Sequence, residues 1–331
     1  MSTEDWSVAD IPDLGGVTAV VTGANRGIGL EIVRGLATKG AHVVLAVRRP
    51  EHGEAAAALM RATSPRLSLE VATSPRLSLE VMRLDLADLA SVHRFAEALG
   101  SKQGTLDLLV NNAGAAPDSP PRTADGFERA FGTNHLGHFA LTGLLLPSLL
   151  ASPGGRVVTM TSLAHGMGRI DFGSLDGSKG LPDLRAYAQS KLANLLFAYE
   201  LQRRLSAANA PLLSVACHPG VAATPGLLGS LTEQKGVLAG LIRALARRYA
   251  PTAAQGARPA LFAATWPGLP GGEYIGPSGW LGVRGGPAPA RSTSRRSHDK
   301  ALARQLWEIS ESMTEVRYTF APADHRRAPT A

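Results

Sequence analysis

A single cysteine, Cys217, stands among 331 residues, which excludes an intramolecular disulfide framework and a cysteine-rich zinc site. Such a chain is expected in a reducing compartment, here the cytoplasm. Long apolar runs are also missing. The longest, near Leu141 to Ala151, is broken by Pro147 and falls short of the roughly 20 residues a membrane span requires. The opening stretch MSTEDWSVADIPDL is acidic and has no apolar core, so it reads as neither signal peptide nor anchor. Aromatic residues make up only 5%, and the arginines behind the net charge of +7 sit late, among Ala, Pro and Gly. That charge reads as a solvated surface, not a nucleic-acid interface. His135, His138 and His165 have no partner carboxylate at ligand spacing, so no metal site is expected.

What the chain has is a rhythm. The 44% of hydrophobic residues suffice for a sizeable core. VTAVVTG is a buried apolar run, ANRGIG a turn, LEIVRGLATKG a helix with a glycine stop, and AHVVLAV a second buried run. Continuous apolar strands belong to a sheet covered on both faces. The alternation continues with a helix from about Gly53, a strand through Val81 to Leu84, a helix from Ala87 to Ala98 and the strand LDLLV. After these come a long helix through Phe131 to Leu150, the strand RVVTMTS, a helix from Arg185 to Leu205 and the strand LLSVACHP. This predicts an α/β fold with a Rossmann-type, doubly wound parallel sheet in a single domain, ligands lying at the carboxyl ends of the strands. The expected limits are an N-terminal arm over 1–13, the domain over 14–320 and a disordered tail over 321–331. Within the domain, a greasy lid is expected over about 222–250 and a Gly/Pro/Arg-rich loop over 281–298; EYIG reads as a short strand and KALARQLWEISESM as a last helix.

The first strand delivers Gly23, Asn25, Arg26, Gly27, Ile28 and Gly29 to the mouth of the first helix. Gly23 permits a tight turn, Gly27 lets backbone approach a pyrophosphate, and Gly29 lets the helix pack on the strand. An NAD-selective site would place a carboxylate after the second strand. This one ends LAVRRP, and Arg48 and Arg49, with Arg26, suit the 2′-phosphate of NADP(H). Tyr187 and Lys191, four apart, share a helix face, where an ammonium would lower the phenol's pKa toward usefulness. Ser162 offers a hydroxyl for a substrate oxygen, and Asn134 can bind a water linking Lys191 to solvent.

TGANRGIG at 22–29, LDL at 84–86, NNAG at 111–114, NHLGHF at 134–139, TSLAH at 161–165, YAQSK at 187–191 and HPGVAAT at 218–224 occur in this order. With them the chain resembles the short-chain dehydrogenase/reductase family over roughly 14–280, and its 162–200 region is similar to the retinol-dehydrogenase-like branch. The resemblance implies Asn134, Ser162, Tyr187 and Lys191 as a catalytic tetrad. It implies Asp85 and Leu86 near the adenine, Asn111, Ala113 and Gly114 along the cofactor, Lys191 on the ribose, and Pro219, Gly220, Val221 and Thr224 beside the nicotinamide. It further implies a lipophilic carbonyl or alcohol substrate and a homodimer through the helices at 126–150 and 185–205. The rival readings are a non-catalytic dinucleotide sensor or scaffold, and a sugar-nucleotide epimerase, which usually shows a different glycine spacing.

The decamer ATSPRLSLEV occurs twice, at 62–71 and 72–81, without a change. Only the second copy runs into LDL, so it is expected to be the third strand. The first is an insertion at a sheet edge, either pairing as a hairpin or forming a loop.

Overall fold

The computed structural model describes residues 6–63, 77–115, 121–220, 252–279, 282, 285–289 and 293–320. Val221, Thr224, the whole of the expected lid, most of the repeated decamer and the tail from 321 lie outside them.

Eight strands form one sheet: β1 (Thr18–Thr22), β2 (His42–Val47), β3 (Leu79–Arg83), β4 (Leu108–Asn111), β5 (Arg156–Met160), β6 (Leu213–Cys217), β7 (Tyr274–Pro277) and β8 (Pro287–Pro289). Their order is β3-β2-β1-β4-β5-β6-β7-β8, every pairing parallel except β7 with β8. The described helices include α1 (Gly27–Ala37), α2 (Pro50–Thr63), α3 (Leu89–Lys102), α4 (Arg129–Phe131), α5 (Gly137–Leu150), α6 (Asp183–Ala207), α7 (Ala253–Thr265) and α8 (Lys300–Thr314).

The apolar runs are continuous because both faces of each strand are covered. Ala19 and Val21 of β1 pack into a core with α1 and α7, while Val20 between them points to the opposite core with α3, α5 and α6. The strand order reverses between β1 and β4, which opens a crevice at their carboxyl ends. Both ends carry motifs: Thr22–Gly23 on one side and Asn111–Asn112 on the other.

The second decamer copy supplies the third strand, with Leu79 opposite Val43, and β3 is the sheet edge. The segment expected as a loop over 281–298 contains β8 and a 3₁₀ turn over Arg295–His298. Two prolines in three residues argued against a strand, but an edge strand needs few of its N–H groups. Between α4 and α5 the helix passes through a π-turn, Gly132–Leu136, which carries Asn134.

Both ends of the described chain fold back onto the layers. Trp6 is fully buried edge-on to Phe262 of α7, and Arg258 donates to the Trp6 carbonyl. At the other end Asp299 caps α8 through the amides of Ala301 and Leu302. Trp307 of α8 stacks on Phe197 of α6 at 5.8 Å and meets Phe139 of α5 edge-on at 5.1 Å. The Tyr318 hydroxyl donates to the Phe139 carbonyl at 2.6 Å. No helix among the described residues is long and apolar enough to cross a membrane.

Candidate active site

The glycine turn after β1 has the shape a phosphate needs. Gly23 and Gly27 take φ of +66° and +57°, the left-handed region that side chains avoid. A Cβ on Gly29 would lie 2.3 Å from the Gly23 carbonyl oxygen and 2.6 Å from Asn112 Nδ2, so only glycine fits where helix meets turn. A Cβ on Gly27 would meet nothing within 4 Å, which leaves the space above the turn open. Arg26 begins α1 without a side-chain cap. The amides of the first turn of α1 therefore face the crevice with the positive end of the helix dipole. Open cradle and uncapped helix together fit a dinucleotide pyrophosphate. Asn25 and Ile28 are half-buried along the turn, and Arg26, Arg48 and Arg49 are exposed. None of the three guanidiniums has an ion-pair partner among the described residues.

At the β3 end, Leu84 extends the pairing by donating to the Val47 carbonyl at 2.8 Å, which sets Asp85 beside the end of β2. Asp85 Oδ1 accepts from the Ala87 amide at 3.0 Å. Leu86 follows with its side chain buried in the core under α5 and its carbonyl against Gly137. Asn111 also turns its side chain inward. Its side chain is fully buried and its Nδ2 donates to Thr142 of α5 at 3.0 Å. Successive strand residues point to opposite sides, and Asn111 faces the helical layer. The neighbouring Asn112 turns to the crevice instead, donating through Nδ2 to the Thr22 carbonyl at 2.8 Å. Ala113 is half-buried and Gly114 exposed at the crevice rim, 3.5 Å separating a Cβ on Gly114 from Asn134 Oδ1.

Asn134 is fixed by both ends of its amide. Oδ1 accepts from the Ala115 amide at 2.7 Å, and Nδ2 donates to Ser190 Oγ at 2.9 Å. Ser190 in turn donates to the Tyr187 carbonyl at 2.8 Å, tying the π-turn to the first turns of α6. Ser162 follows β5 and opens a 3₁₀ turn over Leu163–Met167. That turn packs against α6 so closely that a Cβ on Gly168 would lie 2.5 Å from the Ala188 carbonyl oxygen. The Ser162 hydroxyl lies near enough to the Tyr187 phenol to act on it. Lys191 is buried, its Nζ 5.6 Å from the Tyr187 ring centroid and donating to the Met160 carbonyl at 3.3 Å.

Electrostatically the pair differs from the expectation drawn from spacing. Burial pushes the Tyr187 phenol up, and the Ser162 hydroxyl pulls it the other way. Helical spacing sets the ammonium over the ring, 5.6 Å from its centroid, and burial is the largest influence on the phenol. Burial also brings Lys191 down to about 8, with the neighbouring Cys217 opposing. Cys217 itself is buried in the core, its thiol pushed up by burial.

Residues 17–236 match the short chain dehydrogenase family. The chain belongs to the short-chain dehydrogenase/reductase family. Within this family it is 37% identical to mouse (Mus musculus) retinol dehydrogenase 12 over 305 residues, covering 92% of this chain and 88% of that protein. It is 40% identical to human (Homo sapiens) dehydrogenase/reductase SDR family member 13, covering 91% of this chain and 74% of that protein. Among solved structures, an uncharacterized protein from Mycobacterium paratuberculosis aligns with a TM-score of 0.76 at 41% identity, covering 95% of this chain and 99% of that one. The Pseudomonas aeruginosa RhlG/NADP active-site complex aligns with a TM-score of 0.59 at 25% identity, covering 79% and 94%. A short-chain dehydrogenase acts on an alcohol or carbonyl group with a nicotinamide dinucleotide.

The structure adds residues that sequence reasoning missed. Thr22 Oγ1 accepts from the amides of Asn112 and Ala113, each at 2.9 Å, and so joins the two sides of the crevice. Thr161 Oγ1 donates to the Lys191 carbonyl at 2.8 Å. His165 Nδ1 lies 2.7 Å from the Ser162 carbonyl, behind the substrate side. Pro219 is half-buried beside Gly256 of α7, and Gly220 takes φ of +83° where the chain leaves β6. The signal for Thr22 was its place in TGANRGIG and for Thr161 and His165 theirs in TSLAH, while Pro219 and Gly220 were already expected from HPGVAAT.

Proposed function

We propose that this chain is an NADP(H)-dependent oxidoreductase that interconverts a lipophilic aldehyde or ketone with its alcohol. The observation that carries this is the convergence of Ser162, Tyr187 and Lys191 at the crevice, with the Lys191 ammonium 5.6 Å from the Tyr187 ring centroid. The turn of Gly23, Gly27 and Gly29 with the α1 amides would hold the pyrophosphate, Arg26, Arg48 and Arg49 the 2′-phosphate, and Lys191 the ribose. The RhlG structure, with its NADP, supports the same choice of dinucleotide. When bound, NADP(H) supplies or accepts the hydride.

In reduction, the Ser162 hydroxyl donates a hydrogen bond to the carbonyl oxygen and so favours the negative charge that develops there. Tyr187 gives that oxygen its proton as general acid. Lys191 favours the phenolate that results and passes a proton back through water. Asn134, its side chain tied to Ala115 and Ser190, would offer that water its main-chain carbonyl. In oxidation each proton moves the other way.

A lipophilic substrate is supported by the rim. Among the described residues, Leu163, Met167 and Leu184 are 37%, 66% and 48% exposed, flanking Ser162 and Tyr187 in sequence. Apolar surface kept in water at the mouth of a site suits an apolar ligand. The retinol dehydrogenase relatives point the same way.

The test is dinucleotide oxidation with a panel of lipophilic aldehydes and ketones, NADPH beside NADH, wild type beside Tyr187→Phe. The expected result is turnover preferring NADPH, lowered on the order of 100-fold or more by the substitution with dinucleotide binding retained. An equally active Phe variant would overturn the role of Tyr187. Binding without turnover across the panel would favour a dinucleotide sensor, and equal affinity for both dinucleotides would overturn the arginine assignment.

A further inference from the structure

His138 lies in the first turn of α5, 1% exposed, among Phe139, Ala140 and Leu141, where an apolar side chain would be the ordinary choice. Burying an imidazole is costly unless its nitrogens are hydrogen-bonded. Both are. Nδ1 lies 2.9 Å from the Asn134 carbonyl oxygen, and Nε2 lies 2.9 Å from Thr22 Oγ1. By contrast His135, three residues earlier, leaves its buried Nδ1 without a partner.

The partners dictate where the protons are. A carbonyl only accepts, so Nδ1 carries hydrogen and donates to Asn134. Thr22 Oγ1 already accepts two amides, from Asn112 and Ala113, which occupy its lone pairs. Its own hydrogen has two acceptors in reach, Nε2 at 2.9 Å and the Val110 carbonyl at 3.4 Å; the shorter contact goes to Nε2, and the imidazole is neutral with a single tautomer. Burial agrees, bringing His138 down to about 4. Hydrogen bonds then run without a gap from the Ala113 amide through Thr22 and His138 to the Asn134 carbonyl.

We propose that His138 is a positioning residue: one imidazole fixes both the Asn112–Ala113 turn of the dinucleotide crevice and the main-chain carbonyl of Asn134. This rests on the oxidoreductase reading above. The dinucleotide side is held because the ring orients the Thr22 hydroxyl, whose lone pairs then face the two amides. The proton side is held because Nδ1 takes one lone pair of the Asn134 carbonyl and leaves the other for water.

Three substitutions separate the two ends. His138→Leu removes both hydrogen bonds, His138→Gln keeps an acceptor near the Nε2 position, and His138→Asn keeps a donor near the Nδ1 position. For His138→Leu, NADPH Kd rises and kcat falls, each on the order of tenfold. His138→Gln restores Kd and not kcat; His138→Asn restores kcat and not Kd. Hydrogen exchange at the Asn112 and Ala113 amides, measured without dinucleotide, quickens in His138→Leu and His138→Asn and stays as in wild type in His138→Gln. Wild-type Kd, kcat and exchange in His138→Leu would overturn the proposal. So would equal losses of both constants in the Gln and Asn variants, the mark of general loosening, and those two decide the matter if His138→Leu does not fold. A wild type that turns over no substrate would sink the oxidoreductase reading, while Kd and amide exchange would still judge His138.

Discussion

His135, His138 and His218 are buried, and burial holds them at about 3, 4 and 4. In the unfolded chain each would take up a proton near pH 6.5. Between about pH 6.5 and 4 the unfolded state therefore binds more protons than the folded one, and stability falls as pH falls through that window. The loss approaches about 1.4 kcal/mol per histidine for each pH unit. Thermal melts between about pH 7 and pH 5 should show a steady drop in Tm; a flat Tm there would mean that these imidazoles are not held neutral. At this scale the sequence named the tetrad because four residue types in one order are a distinctive pattern. It could not distinguish Asn111 from Asn112, since strand parity sends one to α5 and the other to the crevice. Nor could it announce Thr22 with His138, whose hydrogen bond spans 116 residues.

At the scale of elements, α8 is an outer cover and not an appendage. Its Trp307 is buried between Phe139 and Phe197, with the Arg204 guanidinium 4.4 Å from the ring centroid. Trp307→Ala should lower unfolding free energy by about 3–5 kcal/mol in denaturant titration. A loss below about 1 kcal/mol would show that α8 adheres only loosely to α5 and α6. The parallel strands and long helices were legible because apolar runs and helical periodicity are strong over such lengths. β8 was not, because its prolines look like loop and only the waiting edge of β7 makes a strand of them. The π-turn was not, because Gly132–Leu136 has the same residue types as the helix on either side.

For the molecule as a whole, the outer faces of α5 and α6 are the ones through which the resemblance implied a dimer. Here α8, Val316 and Tyr318 lie on them; a Cβ on Gly143 of α5 would come within 2.6 Å of Val316 and 2.7 Å of Tyr318. A dimer by that route would have to lift the cover, so α5 and α6 should owe their protection from hydrogen exchange to α8 and not to a second chain. A stable dimer with α5 and α6 protected from hydrogen exchange beyond α8's own protection would overturn this. The π-turn lets one stretch of backbone serve two parts of the molecule at once. Each residue advances an α-helix by about 100°, so the wide turn changes the azimuth of all that follows. Asn134 can then address Ala115 and Ser190, while His135 next to it reaches Ser310 of α8. Deleting one residue between 132 and 136 would restore an unbroken helix and make its backbone more regular. It would also rotate the aromatic wall away from α8 or the asparagine out of the crevice. In evolutionary terms, a one-residue expansion is a way to attach an outer layer to a helix without re-aiming the asparagine that faces the crevice.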